Sequence, residues 1–85
     1  MVVYILFSDK RSRYYVGQTA NIDDRLERHN QGRVKSTKQG MPWKLVWQFL
    51  VKGRSEALKL EQKIKKRGAK RFLEDLEKKR LKFLN

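Results

Sequence analysis

Five side chains in this sequence have types and spacings suited to moving a proton beside an anion: Tyr4, Tyr15, Arg25, His29 and Glu61. The two phenols stand in short apolar runs near the start, Val2 to Phe7 and Tyr14 to Thr19, and Arg25 and His29 follow at once. Phenol and imidazole both give and take protons, whereas a guanidinium is a permanent cation whose planar fork matches a phosphoryl group. A carboxylate adds a hard oxygen donor for a divalent cation. Chemistry at a phosphodiester needs such a proton carrier and a fixed positive charge side by side.

These residues work together only if the elements that carry them converge. Val2 to Phe7 is apolar throughout, the mark of a strand covered on both faces and therefore central in a sheet. Ser8 to Arg13 is a polar turn, and Tyr14 to Gln18 resumes as a second strand. A connection of six residues suits a hairpin and is too short for a parallel crossover. Gly17 is expected to end this strand, either by accepting positive φ or by letting another backbone or a phosphate approach closely.

Asn21 is a good N-cap, and Asp23 and Asp24 occupy the first helical turn, where the dipole favours them. The helix is expected to run to about Asn30, with Gly32 stopping it. Ile22 and Leu26 define its apolar stripe, and Arg25 and His29 fall beside that stripe, within roughly 60° of Ile22. Both are therefore expected to point toward the sheet, while Asp23, Asp24, Glu27 and Arg28 face water. Taken singly, each has a plainer role: Arg25 as a snorkelling edge residue, His29 as a satisfied boundary histidine.

Gly32 to Met41 is a basic stretch without periodicity, expected to be a mobile loop in which Lys35 and Lys38 contact nucleic acid. Pro42 then restricts the residue before it, and Trp43 to Val51 reads as a third strand with Leu45, Trp47, Phe49 and Val51 on one face. Trp43 or Trp47 has the ring to stack on a base, although packing is the commoner fate of tryptophan in a small core.

Ser55 is expected to cap a second helix, with Glu56 in its first turn and Gly68 at its end. Its apolar arc holds Ala57, Leu58, Leu60 and Ile64, and Glu61 falls inside that arc, about 40° from Ala57. Lys59, Lys63 and Lys66 lie on the solvent side. A carboxylate on a core-facing stripe must be paired, protonated or bound to a cation, because an isolated buried charge is costly. The plain outcome is a salt bridge to a nearby Lys or Arg, Arg25 among them. Phe72, Leu76 and Phe83 mark a stripe on a third, strongly basic helix that breaks near Asn85. The expected class is α+β, a three-stranded antiparallel sheet flanked by helices in the order β-β-α-β-α-α. No repeat or linker divides residues 1–85, which read as a single domain.

Composition bounds the partners. Lys and Arg number 22 against 9 Asp and Glu, a net charge of +13, and a surface this basic attracts polyanions, nucleic acid first. The plain alternative is a solubilising surface. No apolar stretch approaches the roughly 20 residues needed to span a bilayer, and no helix pairs a bulky apolar face with a wholly basic one, so a membrane is not the expected partner. The opening residues lack a basic region ahead of their apolar run and do not read as a signal peptide. With no cysteine, disulfides and thiolate-bound zinc are excluded, and a cytoplasmic location is the expectation.

Four blocks taken in order carry a resemblance: Val3-Tyr4, then Tyr15-Val16-Gly17, then NIDDRLERHN from Asn21, then SEALKLEQKIKK from Ser55. Together they resemble the GIY-YIG nuclease superfamily over roughly Val2 to Lys66, and most of all its small single-domain bacterial members, which are similar to the N-terminal incision domain of the UvrC repair subunit. The resemblance implies the sheet-and-helix fold above and metal-assisted hydrolysis of a nucleic-acid phosphodiester, DNA before RNA, in repair or recombination. It implies that one of Tyr4 and Tyr15 is the general base and the other orients the water. Arg25 would neutralise the phosphate, His29 would hold it or assist proton transfer, Gly17 would permit close approach, and Glu61 would coordinate Mg²⁺ or Mn²⁺. A non-catalytic nucleic-acid-binding module on the same fold is the alternative. With no appended recognition domain, a protein partner is the expected source of specificity. The chain departs from the family where a lysine often follows the tyrosine-glycine motif and here stands Gln18. No asparagine lies between Asn30 and Asn85, and Ser36-Thr37 replace a tyrosine frequent in the basic loop. A phenol ordinarily ionises near pH 10, a handicap of about 4 kcal/mol at pH 7, so a tyrosine base implies activity that rises with pH.

Overall fold

A computed structural model describes the backbone of residues 1–84 and the side chains through Lys82. The expected place of Phe83 on the apolar stripe, and of Asn85 at the helix end, lie outside the described residues. Strands β1 (Val2–Ser8), β2 (Arg13–Thr19) and β3 (Trp43–Leu50) form one antiparallel sheet in the order β2-β1-β3. Helix α1 (Ile22–Asn30) follows β2, a 3₁₀ segment (Lys35–Gly40) precedes β3, and α2 (Arg54–Arg67) and α3 (Ala69–Leu84) complete the chain. The expected order of elements and the central position of β1 are both present.

β1 is apolar on both sides because both sides are covered, and Val3, Tyr4, Ile5 and Leu6 are fully buried. Alternation sends Val3 and Ile5 to one face, where they pack with Val16, Ala57 and Ile64 beneath α2 and α3. It sends Tyr4 and Leu6 to the other, against Trp43, Ile22 and Leu26 beside α1. Burying each aliphatic side chain contributes about 1.5–3 kcal/mol, so the strand that carries Tyr4 is also the best-anchored element.

Several sequence expectations change in the folded chain. β2 continues past Gly17 to Thr19, paired throughout with β1. β3 does not keep one alternation: Ile5 pairs with Trp47 but Leu6 pairs with Leu45, leaving Val46 as an extra residue on β3. The bulge switches faces, so Leu45 joins Tyr4 and Leu6 while Trp47 packs with Val3 and Ile5, and Phe49 is left exposed. Trp43 and Trp47 are both packed: Trp43 is buried, and Trp47 lies edge-on against Phe72. α2 starts one residue before Ser55, with Gly53 at the cap position and Glu56 reaching back to the Lys52 N–H at 3.4 Å. Leu58 faces solvent rather than the core.

The basic loop is built, not loose. Ser8 Oγ donates to the Gly40 carbonyl at 2.6 Å, and the Trp43 indole N–H donates to the Thr37 carbonyl at 2.7 Å. Asn30 clamps the Trp43 backbone at both ends, accepting from its N–H at 2.6 Å and donating to its carbonyl at 3.0 Å. These bonds fold Lys35–Gly40 into a 3₁₀ turn that periodicity did not announce. No helix of the described residues is long and apolar enough to cross a membrane.

Candidate active site

Directly paired residues of an antiparallel ladder share a face. Tyr15 pairs with Leu6 and therefore stands on the same face as Tyr4, their ring centroids 6.3 Å apart. Tyr4 pairs with Gly17, and the phenol lies directly over it. A Cβ at Gly17 would stand 2.6 Å from the Tyr4 hydroxyl oxygen and 3.1 Å from the Tyr15 ring. The glycine does not end the strand, and it is the Tyr4 phenol that packs directly against it. Its φ is not left-handed.

α1 delivers His29 and Arg25 onto this face, its start fixed by the Asn21 side chain accepting the Asp24 N–H at 3.0 Å. His29 is fully buried, with Nε2 at 3.0 Å from the Tyr4 hydroxyl and Nδ1 at 2.7 Å from Thr37 Oγ1. Thr37 donates its hydroxyl to the Val34 carbonyl at 3.3 Å, so its oxygen accepts from Nδ1–H. That assignment leaves Nε2 as an acceptor for the Tyr4 O–H. The network Tyr4 to His29 to Thr37 to Val34 is thus satisfied with every member neutral. Burial holds the His29 pKa below its ordinary value, helped by the Arg25 charge. Burial also pushes the Tyr4 phenol far above its usual range, and Tyr15 adds to the effect; Arg25, which lies against the phenol oxygen, works the other way. Tyr4 is consequently a protonated phenol across the working pH range.

Tyr15 differs in exposure. It is only partly covered, and its ring stands edge-on to His29 at 4.9 Å and to Trp43 at 6.2 Å. A cavity of about 750 Å³ opens beside it, lined also by Tyr14, Trp43 and the basic side chains Arg11, Arg13, Lys35 and Lys38. Lys35 and Lys38 are exposed there.

Glu61 lies on the opposite face of the sheet from the phenols. α2 packs on the Val3 and Ile5 face, and Gln18, which pairs with Val3, donates its amide to Glu61 Oε2 at 3.0 Å. Lys65, one turn on, stands 3.4 Å from Oε1. The expected ion pair exists, with Lys65 rather than Arg25 as the partner, because Arg25 lies on the opposite face. The carboxylate side chain is only 14% exposed. Its charge is close enough to add a small upward push to the Tyr4 phenol. The two sets of residues therefore approach each other around the free edge of β2, at Gly17 and Gln18. Among the described residues, no group of three or more His, Cys, Asp or Glu stands together as a metal cage.

Two contributors carry little mark in the sequence. Thr37, the buried end of the His29 relay, sits in a stretch with no periodicity, and only its small hydroxyl among lysines sets it apart. Gln18 stands out as a departure from the family lysine, and its Oε1 is buried with no hydrogen-bond partner in the structure.

A three-stranded antiparallel sheet with helices on both faces, two phenols on its β1–β2 hairpin and a carboxylate on α2 define the class, that of the GIY-YIG nucleases. The GIY-YIG catalytic domain matches residues 1–75, and the chain belongs to that family. It is 48% identical over 67 residues to a UPF0213 protein of Syntrophus aciditrophicus (strain SB), covering 75% of each chain. It is 39% identical over 64 residues to UPF0213 protein SH2523 of Staphylococcus haemolyticus (strain JCSC1435), covering 74% of this chain and 77% of the relative. No solved structure matches the chain.

Proposed function

We propose that this protein is a divalent-metal-dependent endonuclease that hydrolyses nucleic-acid phosphodiesters, DNA in preference to RNA, in the cytoplasm and in repair or recombination. The observation that carries it is the unequal pair of phenols: Tyr4 buried and locked as a neutral donor to His29, Tyr15 beside it and open to a basic cavity. Tyr15 is then the general base toward the attacking water, and Tyr4 fixes the Tyr15 surroundings without ionising. His29 acts through Tyr4, since both its ring nitrogens are engaged. Arg25, with its charge beside the Tyr4 oxygen, is the cation for the phosphate.

The residues present fit a small hard cation. Glu61 supplies a carboxylate, and the unpartnered buried Oε1 of Gln18 is a second oxygen beside it. Mg²⁺ binds through one or two carboxylates and keeps several waters, so a full protein cage is not required. Glu61 and Gln18 would hold Mg²⁺ or Mn²⁺ there, which would supply positive charge for the leaving oxygen. Lys65, 58% exposed, is the partner that would give way at Glu61 to such an ion.

One observation favours the second reading, a binding module without catalysis: the lone carboxylate is already tied to Gln18 and Lys65. A cleavage panel of duplex, flap, junction and single-stranded substrates with Mg²⁺ and Mn²⁺ separates the two. Metal-dependent scission of any of them supports the nuclease; binding without scission of all of them leaves the module. Sequence preference is expected to come from a protein partner, as shape and backbone contacts carry little base information.

A further inference from the structure

Two cavities flank β2, and both are lined by Tyr14 and Tyr15. The first, described above, is basic through Arg11, Arg13, Lys35 and Lys38. The second, of about 610 Å³, lies at the junction of α2 and α3 and is basic through Lys65, Arg67, Lys70 and Arg71. Among the described residues, no acidic side chain lines either one. Asp75 holds Arg67 through two bonds of 2.8 and 3.0 Å, and Glu61 holds Lys65. Lys70 and Arg71 have no ion-pair partner among the described residues, nor do Lys35 and Lys38. Unpaired cations packed along two grooves that meet at one ridge repel one another, and a polyanion relieves that repulsion.

The ridge has its own chemistry. Tyr14 is 37% exposed, yet its ring rests on Phe7 at 4.7 Å between centroids. A supported aromatic face at the crest between two cationic grooves matches how proteins hold unpaired nucleotides, with phosphates in the groove and a base stacked on the ring. We propose that a single nucleic-acid strand crosses the protein from one cavity to the other, with one unpaired base stacked on Tyr14 and flanking phosphates held by Lys35 and Lys38 on one side and Lys70 and Arg71 on the other. The strand then passes over Tyr15 with its backbone. This deepens the nuclease reading, because it rests on Tyr15 as the reacting phenol for its direction of travel. The α2–α3 groove becomes half of the binding site.

The test is fluorescence anisotropy with a labelled single-stranded oligonucleotide and the matching duplex, at several salt concentrations and with no divalent metal, so that cleavage plays no part. Binding as described by a protein that cuts nothing in the cleavage panel with Mg²⁺ and Mn²⁺ would overturn only the nuclease reading. The paired variants Lys35→Gln with Lys38→Gln, and Lys70→Gln with Arg71→Gln, change exposed side chains, and their melting curves check the fold. Each pair is expected to weaken single-strand binding about tenfold and to lower the slope of log affinity against log salt by about 1.4, the quadruple variant by about 2.8. Tyr14→Ala is expected to cost about tenfold on the single strand and little on the duplex. Either pair leaving affinity within twofold and the slope unchanged would confine the strand to one groove and overturn the proposal. Equal losses on strand and duplex for Tyr14→Ala would overturn the stacked base.

Discussion

At the scale of single residues, the two phenols sit a few ångströms apart in different solvents. Tyr4 is fully buried and its pKa is raised, first by burial; Tyr15 faces the cavity. If Tyr15 is the base, cleavage by the wild type rises between pH 7 and 9.5. Tyr15→Phe is expected to lose about 10²–10⁴-fold in rate and to flatten that rise, while Tyr4→Phe loses less and keeps it. Pre-steady-state cleavage across this range checks both, and a Tyr15→Phe profile as steep as the wild type removes the role. His29 offers a second check, on stability. Its folded pKa lies below the ordinary 6.5, so the unfolded chain binds the proton more readily. The contribution of the neutral ring is therefore present above about pH 6.5 and is lost as pH falls. Melting temperatures of wild type and His29→Gln measured from pH 7.5 to 5 are expected to converge toward acid. The inward placing of His29 and Arg25 was legible from the wheel of α1. The engagement of both imidazole nitrogens was not, because Thr37 meets His29 only through a tertiary bond.

At the scale of elements, the hairpin and its edge decide the geometry. Gly17 makes room for the Tyr4 phenol, and Gly17→Ala drives a methyl into it. Overpacking of this kind costs about 1–3 kcal/mol, a fall in melting temperature of roughly 4–8 °C for each kcal/mol in a chain of this size. A Gly17→Ala protein melting within 2 °C of the wild type would show that the phenol moves aside freely. The strands and helices were legible because their signals are local: an apolar β1, an Asn21 cap, glycines at helix ends. The Val46 bulge was not, since an extra residue on a strand is set by its partner rather than by its own alternation. The 3₁₀ segment escaped for the same reason, its fold resting on Ser8 and Trp43 far along the chain.

At the scale of the molecule, a charge of +13 on 85 residues makes association with nucleic acid an electrostatic event. If 6–10 phosphates are neutralised, affinity is expected to fall about 10³–10⁵-fold between 50 and 200 mM salt, and titrations at three or more salt concentrations measure it. A slope near zero would mean that the basic surface serves solubility alone. That surface was legible in composition, but its division into two grooves was not, because it depends on how α3 meets the hairpin. The whole arrangement turns on the carboxylate that comes around the β2 edge from the far face. Cleavage and binding by Glu61→Ala, assayed side by side with Mg²⁺ and Mn²⁺, address it most directly. The variant is expected to bind within tenfold of the wild type and to cut nothing; equal cutting by the two proteins would contradict the account.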